Sequence, residues 1–349
     1  MSESDSQTIL TPQHHEDCVL RKSIQFKNLV KTERGEVVSV RPCASEKGKI
    51  MAEIELPTRK DELFLDSQLL CRLLRAYKRR FTKMKCSSKL GVGRVMWKAR
   101  RTYIYKHGKF DVRFALSQDD ALKTMDSIGR LILGSIFCKK CGQPAIECAL
   151  GQCEECVSNN LQSVTLDELS TPLFIKGFEA LTEALEISRV TLIETSEIRP
   201  ISPSQVSKFK SKIQEGVEFF LDSSLKTPEW TNVSASVSSV SLAFSIEDFH
   251  EKAVELTEAL AKRPGGREED IQSIRQFEKL ALETFKILLE AFHNDDPDRL
   301  KLVKQKNSEL SELLEELDSN LSGNILGRIR EMYEDASSVW SGLLKSYSS

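Results

Sequence analysis

The chain has 349 residues, 40% of them hydrophobic and 29% charged, with nine cysteines. That is enough apolar chain for two or more cores of ordinary size, which excludes disorder throughout and a small disulfide-stapled scaffold. The net charge of -2 hides an imbalance: residues 1–160 carry 29 Lys and Arg against 19 Asp and Glu, whereas residues 161–349 carry 21 against 33. Glu3 and Asp5 stand where a secretory signal would need an apolar run, and the longest uncharged stretch, Trp230 to Ile246, holds six serines. No membrane span is expected, and the chain reads as cytoplasmic.

Residues 1–22 are polar, with Pro12, His14 and His15 and no period that would bury a face, so a disordered tail is expected. Residues 23–116 read as a basic β-rich domain with one helix. Strands are expected at 23–30, 36–40 after a turn at Arg34 and Gly35, and 49–56, where Ile50, Ala52, Ile54 and Leu56 alternate with polar neighbours. Leu69, Leu70, Leu73, Leu74 and Tyr77 then recur at helical spacing from Asp66. A hairpin follows, with one strand from Arg94 to Lys106, a turn at His107 and Gly108, and a return from Lys109 to Leu116.

Between Arg72 and Arg113 there are 15 Lys and Arg and a single acid, Asp111. Aromatic residues are interleaved with this charge, as expected where phosphates are neutralised and bases stack. The candidate nucleic-acid contacts are Arg79, Arg80, Arg94, Trp97, Lys98, Arg100, Arg101, Tyr103 and Tyr105. The partner class is nucleic acid or another polyanion. No base-reading motif accompanies the charge.

Residues 117–158 read as a helix followed by a metal module. Ser117 with Asp120 three residues on marks a helix start, and the helix delivers the chain to Cys138, Cys141, Cys148, Cys153 and Cys156. Two Cys-x-x-Cys pairs supply four thiolates to one tetrahedral ion, so zinc on Cys138, Cys141, Cys153 and Cys156 is the leading expectation, with Cys148 as a spare or alternate ligand. The spacing Cys148-x4-Cys153-x2-Cys156 also resembles the plant-type [2Fe-2S] ferredoxin loop, which makes an iron-sulfur cluster the alternative. No cysteine follows Cys156 to complete such a site, and Glu154 and Glu155 add charge beside an anionic cluster. Cys18, Cys43, Cys71 and Cys86 are expected to be ordinary thiols.

Residues 159–349 read as an all-α bundle, with the domain boundary near Val157 to Thr165. Six helices are expected at 171–192, 203–222, 246–262, 268–293, 297–321 and 325–346, with the Ser-rich stretch from Val233 to Ser241 as a linker. Six helices in two sets of three, ending in Arg328-Ile-Arg330-Glu331-Met-Tyr-Glu334-Asp335, resemble the PhoU family of phosphate-signalling regulators with its acidic E/D-x-x-x-D motif. The resemblance implies a second metal site at Glu331 and Asp335 and action by docking on a protein partner. The fold class expected for the whole chain is α+β. The five histidines form no catalytic constellation, so the expected function is that of a non-enzymatic, zinc-containing regulator that binds nucleic acid and docks a protein through its helical half. A PhoU-like docking regulator and an iron-sulfur protein in electron or sulfur transfer are the alternatives. Acidic helices beside a basic half also allow the two to screen each other within one molecule.

Overall fold

A computed structural model of the chain describes residues 7–21, 31–32, 35–36, 38–44, 46–55, 63–193, 201–227, 229–261, 268–294, 296–320 and 323–345. The architecture is α+β, with a sheet-rich N-terminal region and a helical C-terminal region. The strand expected at 23–30 lies outside the described residues.

The N-terminal segment departs from the disordered tail expected of it. β1 (Thr8–His14) pairs antiparallel with β10 (Val157–Thr165), from Thr8 opposite Thr165 to His14 opposite Val157. Ile9, Leu10, Cys18, Val19 and Leu20 are buried, and so is His14 at 3% exposure. The segment has too few apolar residues to fold alone and is ordered by a strand 150 residues away. β10 occupies the position expected for the domain boundary, and its pairing with β1 makes that region part of the fold.

Short strands β2 (Lys31–Thr32) and β3 (Gly35–Glu36) pair with each other. Six further strands form one antiparallel sheet: β4 (Val38–Pro42), β5 (Ile50–Glu55), β6 (Lys83–Ser87), β7 (Val92–Trp97), β8 (Arg100–Tyr105) and β9 (Lys109–Ala115), in the order β4-β5-β9-β8-β7-β6. Alternation decides its faces. Ala52, Ile54, Val95, Ile104, Phe110 and Val112 all point inward and are fully buried. Each of the larger side chains contributes about 1.5–3 kcal/mol by leaving water.

Two helices cover that inner face. α1 (Ser67–Ala76) is capped by Asp66, whose carboxylate accepts from the amides of Gln68 and Leu69, and packs on β6 and β7. α2 (Gln118–Leu131) is capped as the sequence indicates, Ser117 accepting from the Asp120 amide at 3.1 Å, and packs on β9 and β5. Cys71 of α1 and Cys86 of β6 are joined by a disulfide, their Cα atoms 5.4 Å apart. The helix crosses the strand there, which brings together two cysteines that look unrelated in sequence.

The expected single strand 94–106 is two strands. The chain reverses at Lys98 (φ 45°) and Ala99 (φ 64°), both left-handed, which is the two-residue turn whose twist suits a hairpin. Neither residue is the glycine or asparagine that normally announces such a turn, so the periodicity ran on across it. Ala99→Gly is expected to raise stability by about 1 kcal/mol, because glycine lacks the Cβ that makes the left-handed conformation costly. Thermal and urea unfolding measure this, and a destabilised variant would contradict the turn.

The described residues of the helical half form α3 (Ala145–Ala149), which belongs to the cysteine module, and six long helices: α4 (Thr171–Ile193), α5 (Pro203–Lys226), α6 (Trp230–Ala261), α7 (Glu268–His293), α8 (Pro297–Asn320) and α9 (Gly323–Lys345). Five of the six match their expected positions closely. α6 is twice as long as expected because the Ser-rich stretch is helix, not linker. Ser234, Ser236, Ser238, Ser239 and Ser241 are all buried. Ser236 and Ser239 donate to carbonyls one turn back, and Ser241 donates to Ile146 O at 2.9 Å. Small side chains whose hydroxyls find backbone acceptors let α3 and β1 approach this helix closely. Thr11 of β1 and Ser238 share a 3.3 Å hydrogen bond. The two halves are therefore packed together through this helix.

Candidate metal centre and cationic sheet face

Six cysteines converge where the sheet region, α3 and β10 meet. Cys138 and Cys141 stand on a tight turn that closes with Gly142 N donating to Cys138 O at 2.8 Å, and Gly142 takes the left-handed conformation (φ 74°) that the turn requires. Cys148 comes from α3, and Cys153 and Cys156 from the loop leading into β10. The sixth is Cys18, which follows β1. The His15 amide donates to Cys156 O at 2.5 Å, and this bond anchors the N-terminal segment beside the loop.

The sulfurs fall into two overlapping groups, Cys18, Cys138, Cys148 and Cys156, and Cys141, Cys148, Cys153 and Cys156. Within each group all four lie within 4.8 Å of one another, and each group can hold a metal ion. Cys138 Sγ is 3.6 Å from Cys156 Sγ, and Cys141 Sγ is 3.5 Å from Cys148 Sγ. All but the half-buried Cys141 are buried. This differs from the sequence expectation at two points. The four cysteines expected to share one ion are split, Cys138 in one group and Cys141 and Cys153 in the other, with Cys148, expected as a spare or alternate ligand, in both; and Cys18, expected to be an ordinary thiol, is part of the cluster. Cys18 lies 120 positions before Cys138, and only the β1–β10 pairing brings it in.

The thiols act on one another. The Cys18 thiol is pushed up to about 11, chiefly because its S–H donates to Cys138. Cys138 is held far below the ordinary thiol range by donation from Cys148 and Cys18. Cys148 is pushed far up by its bond to Cys138, and Cys156 and Cys141 are raised first by burial. His14 lies beside Cys138 with neither ring nitrogen hydrogen bonded, and burial pushes its imidazole down to about 4.

The basic segment divides into three sets. One set is engaged by the acidic helices: Arg72 donates to Asp248 (2.7 Å) and Glu247 (2.8 Å) while lying 4.0 Å over the Phe244 ring, Arg80 pairs with Asp222 at 2.5 Å, and Arg79 lies 3.9 Å from Glu218. A second set is internal, with Arg100 paired to Asp120 at 3.0 Å, Arg113 to Asp111 at 2.9 Å, and Trp97 buried at 8% exposure against Tyr77 and Phe81. Trp97 is therefore a core residue, while Arg79, Arg80 and Arg100 are paired with carboxylates of this chain, Arg79 and Arg80 with side chains that stay 53% and 52% exposed.

The third set shares the outer face of the sheet. Strand register places Lys85, Arg94 and Tyr103 in one cross-strand row, and Lys83, Met96 and Arg101 in the next. Tyr105 stands opposite Val92 on the same face. Lys83 and Lys85 are exposed, and Arg94, Arg101, Tyr103 and Tyr105 half-buried. Among the described residues Lys83, Lys85, Arg94 and Arg101 form no ion pair; Arg101 lies 4.9 Å over Phe114, and Arg113 lies 4.8 Å over Tyr103. Lys98 sits at the tip of the β7–β8 turn. Sequence reading missed Lys83 and Lys85, because β6 is too short and too charged to show a strand pattern.

Glu331 and Asp335 are exposed on α9, and the Lys252 ammonium of α6 pairs with Asp335 where a second metal would sit. Among the described residues the two belong to no metal-binding group. No described helix is long and apolar enough to cross a membrane. Compared with family models, with curated proteins and with solved structures, the chain matches none.

Proposed function

We propose that this chain is a non-enzymatic, zinc-containing protein that binds nucleic acid across the outer face of its six-stranded sheet, with the helical half as the docking module for a protein partner. The observation that carries the reading is the grid of Lys83, Lys85, Arg94 and Arg101 around Tyr103 and Tyr105 on a face that none of the described helices covers. Four cations that pair with no carboxylate among the described residues can neutralise phosphates, and a tyrosine ring on an open sheet offers a platform for an unpaired base. The acidic helices engage Arg72, Arg79 and Arg80 and leave this face clear, so screening of the whole basic segment by the helical half is not part of the proposal. Zinc is favoured because in each group all four sulfurs lie within 4.8 Å of one another, as around a single tetrahedral ion whose ligand edges are about 3.8 Å for Zn–S bonds of about 2.3 Å. In an iron-sulfur cluster, inorganic sulfide lies between the irons and spreads the thiolates of different irons further apart.

The test is fluorescence anisotropy of the full chain with a labelled single-stranded oligonucleotide at ~50 mM salt. The double variant Arg94→Glu, Arg101→Glu is expected to bind at least about 10-fold more weakly, with a shallower dependence on salt because two phosphate contacts are lost. Tyr105→Ala is expected to weaken single-strand binding by about 1–3 kcal/mol, the worth of one stacked base. Unchanged affinity in the double variant, or no binding by the wild type at low salt, would refute this function.

A further inference from the structure

We propose that the six clustered thiolates bind two zinc ions, with Cys148 and Cys156 bridging them, Cys18 and Cys138 completing one tetrahedron and Cys141 and Cys153 the other. This rests on the zinc reading above and extends it from one ion to two. A single tetrahedral ion takes four sulfurs and strands two. In the first group it would leave Cys141 and Cys153 unligated; in the second, Cys18 and Cys138, which are 0% and 1% exposed. A thiolate sulfur has lone pairs enough for two metals, so sharing Cys148 and Cys156 forces no choice between the groups. Each group also contains one sulfur pair near a tetrahedron edge, Cys138 with Cys156 at 3.6 Å and Cys141 with Cys148 at 3.5 Å, and each pair joins a shared sulfur to an unshared one.

The charge balance favours the second ion. One Zn2+ on four thiolates carries -2 and leaves two neutral thiols. Two Zn2+ on six thiolates, with six protons released, also carry -2. The second ion therefore adds no net buried charge while converting two stranded thiols into ligands.

Native mass spectrometry and elemental analysis of the full chain, purified under reducing conditions, decide the count. Two zinc ions per wild-type chain are expected, with one remaining in Cys18→Ser and one in Cys141→Ser, which remove unshared ligands from different groups. The wild-type count stands by itself if either variant fails to fold. Replacement with Co2+ tests the bridge: the paramagnetic signal of a half-loaded sample is expected to fall on full loading, because shared thiolates couple the two spins. One colourless zinc per chain would overturn the two-ion centre and leave the zinc reading intact. Iron with acid-labile sulfide and visible absorption would overturn both, and cobalt signals that simply add would overturn the bridge.

Discussion

Gly342→Ala is expected to destabilise the protein by about 2–4 kcal/mol, although alanine is the better helix former by about 1 kcal/mol. Gly342 lies in α9 against the loop that joins Cys148 to Cys153. A Cβ there would come within 2.3 Å of Leu150 O, 3.0 Å of Gly151 C and 3.2 Å of Gln152 N. These are backbone atoms and cannot rotate aside. The loop cannot retreat either, because Cys148 and Cys153 hold its ends in the cluster and Gln152 donates to Ser338 of α9 at 2.9 Å. Overlap therefore outweighs propensity. Gly327 of the same helix is the control: a Cβ built there meets nothing within 4 Å, so Gly327→Ala is expected to gain about 1 kcal/mol. Urea unfolding of both variants measures the contrast. A stabilised Gly342→Ala would show that α9 does not sit on the cysteine loop.

Glu278→Gln is expected to stabilise the protein by about 2–4 kcal/mol at pH 8 and by almost nothing at pH 5. Glu278 of α7 is 1% exposed, its Oε1 has no hydrogen-bond partner, and burial pushes its carboxyl up to about 8 against the opposing pull of Arg275. The folded chain thus keeps a proton that the unfolded chain gives up above an ordinary carboxyl pKa of 4.5. Stability from this group is complete below that value and drains away as pH rises to about 8. His250 has the opposite sign. Buried, stacked on Phe209 at 3.7 Å and bonded to Ser188 Oγ through Nδ1 at 2.7 Å, it is pushed down to about 4, so its contribution is complete above 6.5 and is lost as pH falls toward 4. His14, also pushed down to about 4, has the same sign as His250, so above 6.5, where both imidazoles are neutral in either state, the Glu278 decline is left unopposed by them. Glutamine keeps the shape and removes the alkaline decline. Unfolding midpoints of both proteins from pH 5 to 9 give the difference directly, and parallel curves would show that Glu278 is ionised and paired in the folded state.

Local chemistry was legible where it acts within a few residues. Ser117 with Asp120 announced α2, and five of the six helix ranges expected after residue 165 became α4, α5, α7, α8 and α9. The Lys98–Ala99 turn was not legible, because two ordinary residues are held left-handed by the strands on either side. The buried serines of α6 misled for a related reason. Serine is polar by composition but small, and inside a helix its hydroxyl bonds to its own backbone.

By itself the sequence determined the fold class, the division into a basic half and an acidic half, the positions of most helices, and that cysteines 138 to 156 form one centre. Each of these follows from periodicity, capping or spacing, which operate over one to twenty residues. Only the tertiary structure decided that Cys18 joins the centre, that Cys148 and Cys156 belong to both sulfur groups, that Trp97 is core, and which cations of the basic segment pair with carboxylates. Those outcomes depend on strand order and on which face each residue takes. A one-residue shift of register would turn Arg94 inward and Val95 outward without changing the composition at all.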